Sequence, residues 1–113
     1  MSDNDWISGD QPPRAALVVV KRGPNAGTRF VLDRPITSVG RHGDSNIVLD
    51  DVSISLRHAE FRQQDGTFQI VDVGSFDGTY VNRELVDTAP LVNGDQIQMG
   101  KFRLVFLTTT APT

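Results

Sequence analysis

Three stretches of this 113-residue chain concentrate side chains able to hold an oxyanion. Residues 40–46 read Gly-Arg-His-Gly-Asp-Ser-Asn; 50–58 include Ser53, Ser55, Arg57 and His58; 74–82 include Ser75, Phe76, Asp77, Gly78, Thr79 and Asn82. Arginine offers a planar donor fork to phosphate, while serine hydroxyls and glycine-exposed N–H groups saturate the remaining lone pairs. From spacing alone, these residues read first as the ordinary loop and turn chemistry that any β-sandwich needs. Other chemistries have less behind them. Ser55, His58 and Asp72 are the types of a hydrolytic triad, but nothing around Ser55 resembles a nucleophile elbow. Asp50 and Asp51 with His42 suggest a metal, yet adjacent acids usually form a solvated turn. Residues 23–27 lack the Lys-Ser/Thr and helix that follow a nucleotide-binding glycine loop. No catalytic residue, metal or cofactor is expected.

Composition narrows the partners. There are 11 Lys and Arg against 14 Asp and Glu, a net charge of −3, which argues against bulk attraction to nucleic acid or an anionic membrane. Any bound anion must be held by a local cluster of cations. With no cysteine, a disulfide scaffold, a thiolate zinc site and a cysteine nucleophile are excluded. The polar, acidic start with Pro12-Pro13 lacks the pattern of a signal peptide, and the apolar run 15–20 is too short to cross a bilayer. A cytoplasmic monomer is expected.

The elements that must position these loops are β-strands. Apolar and β-branched residues cluster at 17–20, 30–32, 37–39, 47–49, 59–62, 67–71, 79–81, 96–99 and 102–107, and nowhere do they keep helical spacing for three turns. Asp65-Gly66 and Asn93-Gly94 predict hairpin-type turns. Many short strands broken by turns predict an all-β sandwich or barrel, whose loops gather at its two ends. A domain over 15–107 is expected, with flexible segments at 1–14, where Trp6 and Ile7 pack loosely or not at all, and at 108–113.

Gly40-Arg41, Ser55-Leu56-Arg57-His58, Asp77-Gly78-Thr79 with Asn82, Gly94-Asp95 and Gly100 resemble the forkhead-associated (FHA) domain in order and spacing. The resemblance runs from about Leu17 to Leu107 and implies a β-sandwich of about eleven strands that binds phosphothreonine peptides through loops at one end. It further implies that Arg41 binds phosphate and that the hydroxyl and N–H of Ser55 reach it. It implies that Phe76 and Asp77 align the peptide backbone and that His58 braces the binding loop from inside. Gly40, Gly78, Thr79 and Asn82 would shape the loops. Residues 17–27 and 100–107 are similar to a bacterial FHA group that regulates glycogen accumulation and inhibits 2-oxoglutarate dehydrogenase. That similarity implies Ser/Thr protein kinases upstream, with 2-oxoglutarate dehydrogenase and glutamate dehydrogenase as docking partners. Members of that group carry an N-terminal arm whose phosphorylated threonines fold back into the site. The first threonine here is Thr28, so this self-inhibition is not expected of the sequence as it stands.

Two positions depart from the family pattern. Leu56 stands where relatives commonly have Arg, Lys or Asn, and Asp77 where they usually have Asn. Asp accepts but does not donate, and it brings negative charge towards a ligand carrying about −1.5 to −2. A lost charge-assisted hydrogen bond is worth roughly 1.5–3 kcal/mol, so binding about tenfold to several hundredfold weaker is expected. Arg57 is expected on the face opposite residue 56, as neighbours on an extended strand are, and so not to replace it. The alternative function is a phosphate-independent interaction module with a weakened pocket.

Overall fold

The computed structural model describes residues 16–108. The expectations for Trp6, Ile7 and the two end segments lie outside these residues, except that Thr108 ends a strand rather than beginning a tail. Alternation of buried and part-exposed residues sets the first and last strands of the chain. Ala16, Val18 and Val20 point inward from β1 (Ala16–Arg22), and Phe102, Leu104 and Phe106 point inward from β11 (Phe102–Thr108). Between them run β2 (Arg29–Leu32), β3 (Ile36–Gly40), β4 (Ile47–Val48), β5 (Ala59–Gln64) and β6 (Thr67–Asp72). They are followed by β7 (Thr79–Val81), β8 (Glu84–Val86), β9 (Thr88–Leu91) and β10 (Gln96–Met99).

These eleven strands form two sheets, a six-stranded one in the order β2-β1-β11-β10-β7-β8 and a five-stranded one in the order β4-β3-β5-β6-β9. Only the β3–β4 pair is parallel. Phe68 and Phe106 meet between the sheets with ring centroids 5.3 Å apart. Around them Phe61, Ile70, Ile97, Met99, Phe102 and Leu104 are fully buried. The expected all-β sandwich is the fold observed. No helix among the described residues is long and apolar enough to cross a membrane.

Two strands escape the hydrophobic pattern. β8 is a three-residue edge strand whose Leu85 is exposed. β9 carries Pro90 opposite Gln69, tolerated because β9 is an edge with no partner on its far side. Asp65-Gly66 does make the β5–β6 hairpin, both residues with positive φ. Asn93-Gly94 does not make a hairpin; it carries the chain from β9 in one sheet to β10 in the other. Register fixes which loops share an end. Val39 pairs with Ala59 and Ala59 with Asp72, while Met99 pairs with both Thr79 and Phe102. The segments after β3, before β5 and after β6 therefore emerge together from one sheet, and the Lys101 N–H bond to Ser53 Oγ brings the β10–β11 turn of the other sheet to the same end.

Removing the Phe106 ring leaves a cavity between the sheets that neither can close. Phe106→Ala is expected to lower stability by about 3–5 kcal/mol, against no more than about 0.5 kcal/mol for Val31→Ala on the exposed edge strand. Equilibrium urea unfolding of both variants checks this, and equal losses would contradict the assigned core.

Candidate functional site

Gly40 ends β3 with no room for a side chain: a Cβ there would collide with the Leu56 carbonyl oxygen. That close approach lets residues 40–42 run beside 54–56. The Arg41 N–H donates to the Ser55 carbonyl at 3.0 Å and the His42 N–H to that of Leu56 at 3.3 Å. Arg41 Nε donates to the Ile54 carbonyl at 3.1 Å. The guanidinium is thus held by its inner nitrogen, and the outer pair, Nη1 and Nη2, enters no ion pair among the described residues.

His58 is completely buried. Its Nδ1 accepts the Ser55 N–H at 3.2 Å, so the ring proton sits on Nε2, which donates to the Gly78 carbonyl at 3.0 Å. Its backbone N–H donates to Val39, and its carbonyl accepts from Val73. The ring therefore joins the β4–β5 segment to the β6–β7 segment, while the His58 backbone ties both to β3 and to Val73. The ring also takes up the Ser55 N–H that the family resemblance assigns to phosphate. The Ser55 hydroxyl oxygen accepts the Phe76 N–H at 2.9 Å, leaving its own hydrogen to donate. No triad assembles, because both ring nitrogens are engaged with backbone and Asp72 bonds elsewhere.

Asp72 organises the third loop, a role the sequence reading did not give it. One carboxylate oxygen accepts the N–H groups of Gly74 at 2.8 Å and Ser75 at 2.9 Å. The other accepts the hydroxyls of Ser75 at 2.5 Å and of buried Thr79 at 2.7 Å. Ser75 Oγ in turn accepts the Gly78 N–H at 2.9 Å. Burial alone would raise the Asp72 pKa, but the hydrogen bonds from Ser75, Thr79 and Gly74 outweigh it and hold the group at about 2. The available signal was Asp72-x-Gly74-Ser75, an acid placed to accept from N–H groups two and three residues ahead.

The β10–β11 turn supports the loop from the other sheet. Lys101 N–H donates to Ser53 Oγ at 3.0 Å, and the Ser53 N–H donates to Asp51 at 2.8 Å. The Ser53 bonds, with lesser help from Lys101, lower the Asp51 pKa. Gly100, at φ +54°, sits so close to Ser53 that a Cβ would strike it.

Between these loops lies an open depression of ≈ 690 Å³, and all of the expected ligand-facing residues, Arg41, Ser55, Leu56, Phe76 and Asp77, line it. Phe76 is 97% exposed and Val52 89%, an apolar rim beside the arginine. Gly40, His58, Gly78 and Thr79 stand behind the loops. Asn82 does not join them. It starts the β7–β8 turn at the other end of the sandwich, where its side chain bonds Gln96 and Asp95 and shapes the segment 92–96. Arg57 corrects the sequence reading in the opposite sense. Residues 50–58 form turns and bends rather than a strand, so strand alternation does not apply, and Leu56 and Arg57 line the same depression.

The depressed Asp72 pKa has a definite sign. The folded value lies below the ordinary 3.8, so the contribution to stability is present above about pH 4 and is lost as pH falls through 2. With screening allowed for at this partly exposed site, about 1 kcal/mol is expected. Asp72→Asn should lose that amount at neutral pH and flatten the acid limb of the stability curve between pH 4 and 2. The Gly74 and Ser75 amide resonances should titrate in that window in the wild type only. Identical acid limbs and unmoved amides would contradict the network.

Residues 37–100, more than half of the chain, match the family model for the FHA domain. The glycogen accumulation regulator GarA of Mycolicibacterium smegmatis is 70% identical over 97 residues, covering 86% of this chain and 61% of its own length. The oxoglutarate dehydrogenase inhibitor of Corynebacterium diphtheriae is 64% identical over 96 residues, covering 85% of this chain and 67% of its own. This chain thus spans less than two thirds of the mycobacterial regulator. Among solved structures, one from a study of phosphothreonine-dependent FHA domain interactions superposes with TM-score 0.77 at 25% identity, covering 88% of this chain and 99% of the other. Mycobacterium tuberculosis EmbR, in complex with a low affinity phosphopeptide, gives TM-score 0.79 at 26% identity, covering 94% of this chain and 27% of EmbR. Fold, loop geometry and sequence similarity agree: the chain belongs to the FHA domain family of phosphopeptide-binding modules.

Proposed function

We propose that this domain recognises phosphothreonine on partner proteins in Ser/Thr kinase signalling, and that through it a cytoplasmic, monomeric regulator docks on enzymes of 2-oxoglutarate and glutamate metabolism. The observation that carries this reading is the gathering of Arg41, Ser55, Leu56, Phe76 and Asp77 around one depression. Nη1 and Nη2 of Arg41 donate to phosphate oxygens while Nε stays on the Ile54 carbonyl. The Ser55 hydroxyl donates to a further oxygen, and the Phe76-Asp77 segment aligns the peptide backbone. Threonine is preferred over serine through one methyl, worth about 1 kcal/mol. The names of the two relatives, a regulator of glycogen accumulation and an inhibitor of oxoglutarate dehydrogenase, support metabolic enzymes as partners. 2-Oxoglutarate dehydrogenase and glutamate dehydrogenase are the proposed ones, with Ser/Thr protein kinases supplying the phosphate mark.

A second reading, phosphate-independent docking, is favoured by apolar Leu56, acidic Asp77 and the exposed Phe76 and Val52 on the rim. Calorimetric titration of matched phosphothreonine, phosphoserine and unphosphorylated peptides separates the two. The first reading expects tightest binding of phosphothreonine, weakened by salt and by Arg41→Ala about tenfold to a hundredfold. Asp77→Asn, which restores a donor and removes a negative charge, should tighten it by up to about tenfold. Partner binding that ignores both phosphate and Arg41→Ala would establish the second reading instead.

A further inference from the structure

We propose that Arg57 is the second cation of the phosphate site, standing in for the cation that Leu56 does not provide; the inference rests on the phosphothreonine reading above. Arg57 lines the main depression with Arg41 and Ser55, and it also lines an adjoining one of ≈ 100 Å³ that contains Asp44 and Glu60. His42 and Val73 line both as well, so Arg57 stands on the wall the two depressions share.

Its charge is not taken up by neighbours. Glu60 receives both Nε and Nη2 of Arg62, at 3.0 and 2.7 Å. Asp44 donates its backbone N–H to His42 Nδ1 at 3.0 Å, and its carboxylate is exposed to solvent without an ion pair to Arg57. Among the described residues Arg57 enters no ion pair and no side-chain hydrogen bond. A phosphothreonine brings a charge of about −1.5 to −2. Arg41 has one nitrogen already committed, the Leu56 side chain has no donor, and Asp77 repels. Arg57 is the remaining permanently charged cation on the wall of the depression. Its long side chain leaves a turn rather than a strand, which frees it from the alternation that would otherwise send it to the far face.

The test moves the arginine by one position. The chain is titrated with a synthetic alanine-flanked phosphothreonine peptide and its unphosphorylated match. Arg57→Ala should weaken phosphopeptide binding about tenfold, flatten its salt dependence, and leave both the unfolding midpoint and the unphosphorylated peptide unaffected. The double variant Leu56→Arg/Arg57→Ala should return the phosphopeptide affinity to within about twofold of wild type. A purely structural role for Arg57 would not be rescued in this way. If Arg57→Ala binds as wild type while Arg41→Ala does not, this inference falls and the phosphothreonine reading stands. If no phosphopeptide binds even to Leu56→Arg/Asp77→Asn, both fall together.

Discussion

A sandwich that binds a ligand with its loops must keep segments from two separate sheets in fixed relation. In this molecule the buried His58 ring does so. Its two nitrogens face opposite ways, one accepting from Ser55 and the other donating to Gly78, so a single planar group sets the distance between the serine loop and the loop before β7. A buried polar group left unpaired costs about 1–3 kcal/mol; here both nitrogens are satisfied, and the bonds hold only when the two loops are in place. The Phe76 N–H on Ser55 Oγ adds a second tie between the same loops. Arg41 inherits its position from this frame, since both its N–H and its Nε bond to carbonyls of residues 54 and 55.

The remaining supports follow from that constraint. Asp72 gathers four donors and so closes the loop that carries Phe76 and Asp77. From the opposite sheet, the Gly100-Lys101 turn holds Ser53. Arg41, Ser55 and Phe76, which line the depression, are thus each fixed by hydrogen bonds to neighbouring loop groups. Such preorganisation reduces the ordering cost of binding.

Much of this was legible in the residues, and the omissions have physical reasons. Strands with a clean period of two, such as β1 and β11, declare themselves because one face must be buried. Edge strands β8 and β9 bury little and therefore leave almost no pattern. Arg41, Ser55 and His58 were readable as chemistry, but Asp72 was not, because an acid that organises a loop looks like any polar turn residue. Arg57 was misplaced for a different reason. Strand alternation is a rule about regular backbone, and the segment between β4 and β5 is irregular where the site needs it. Asn82 was read as a loop-shaping residue together with Gly78 and Thr79, but β7, three residues long, carries the chain to the other end of the sandwich, where Asn82 bonds Asp95 and Gln96.

The unusual pair, Leu56 and Asp77, acquires meaning from this arrangement. Neither side chain takes part in the frame: the ties run through the backbone, that of Leu56 included, and through Ser55, His58 and Asp72, so both side chains are free to change without loss of the fold. What changes is the charge facing the ligand. An apolar side chain and a carboxylate on the wall lower the long-range pull on any anion, which a net charge of −3 already weakens. On the proposed phosphothreonine reading, binding would depend on short-range geometry and on the fork of Arg41. A site of that kind discriminates by fit more than by attraction, and the exposed Phe76 and Val52 give the partner's apolar side chains a place in that fit.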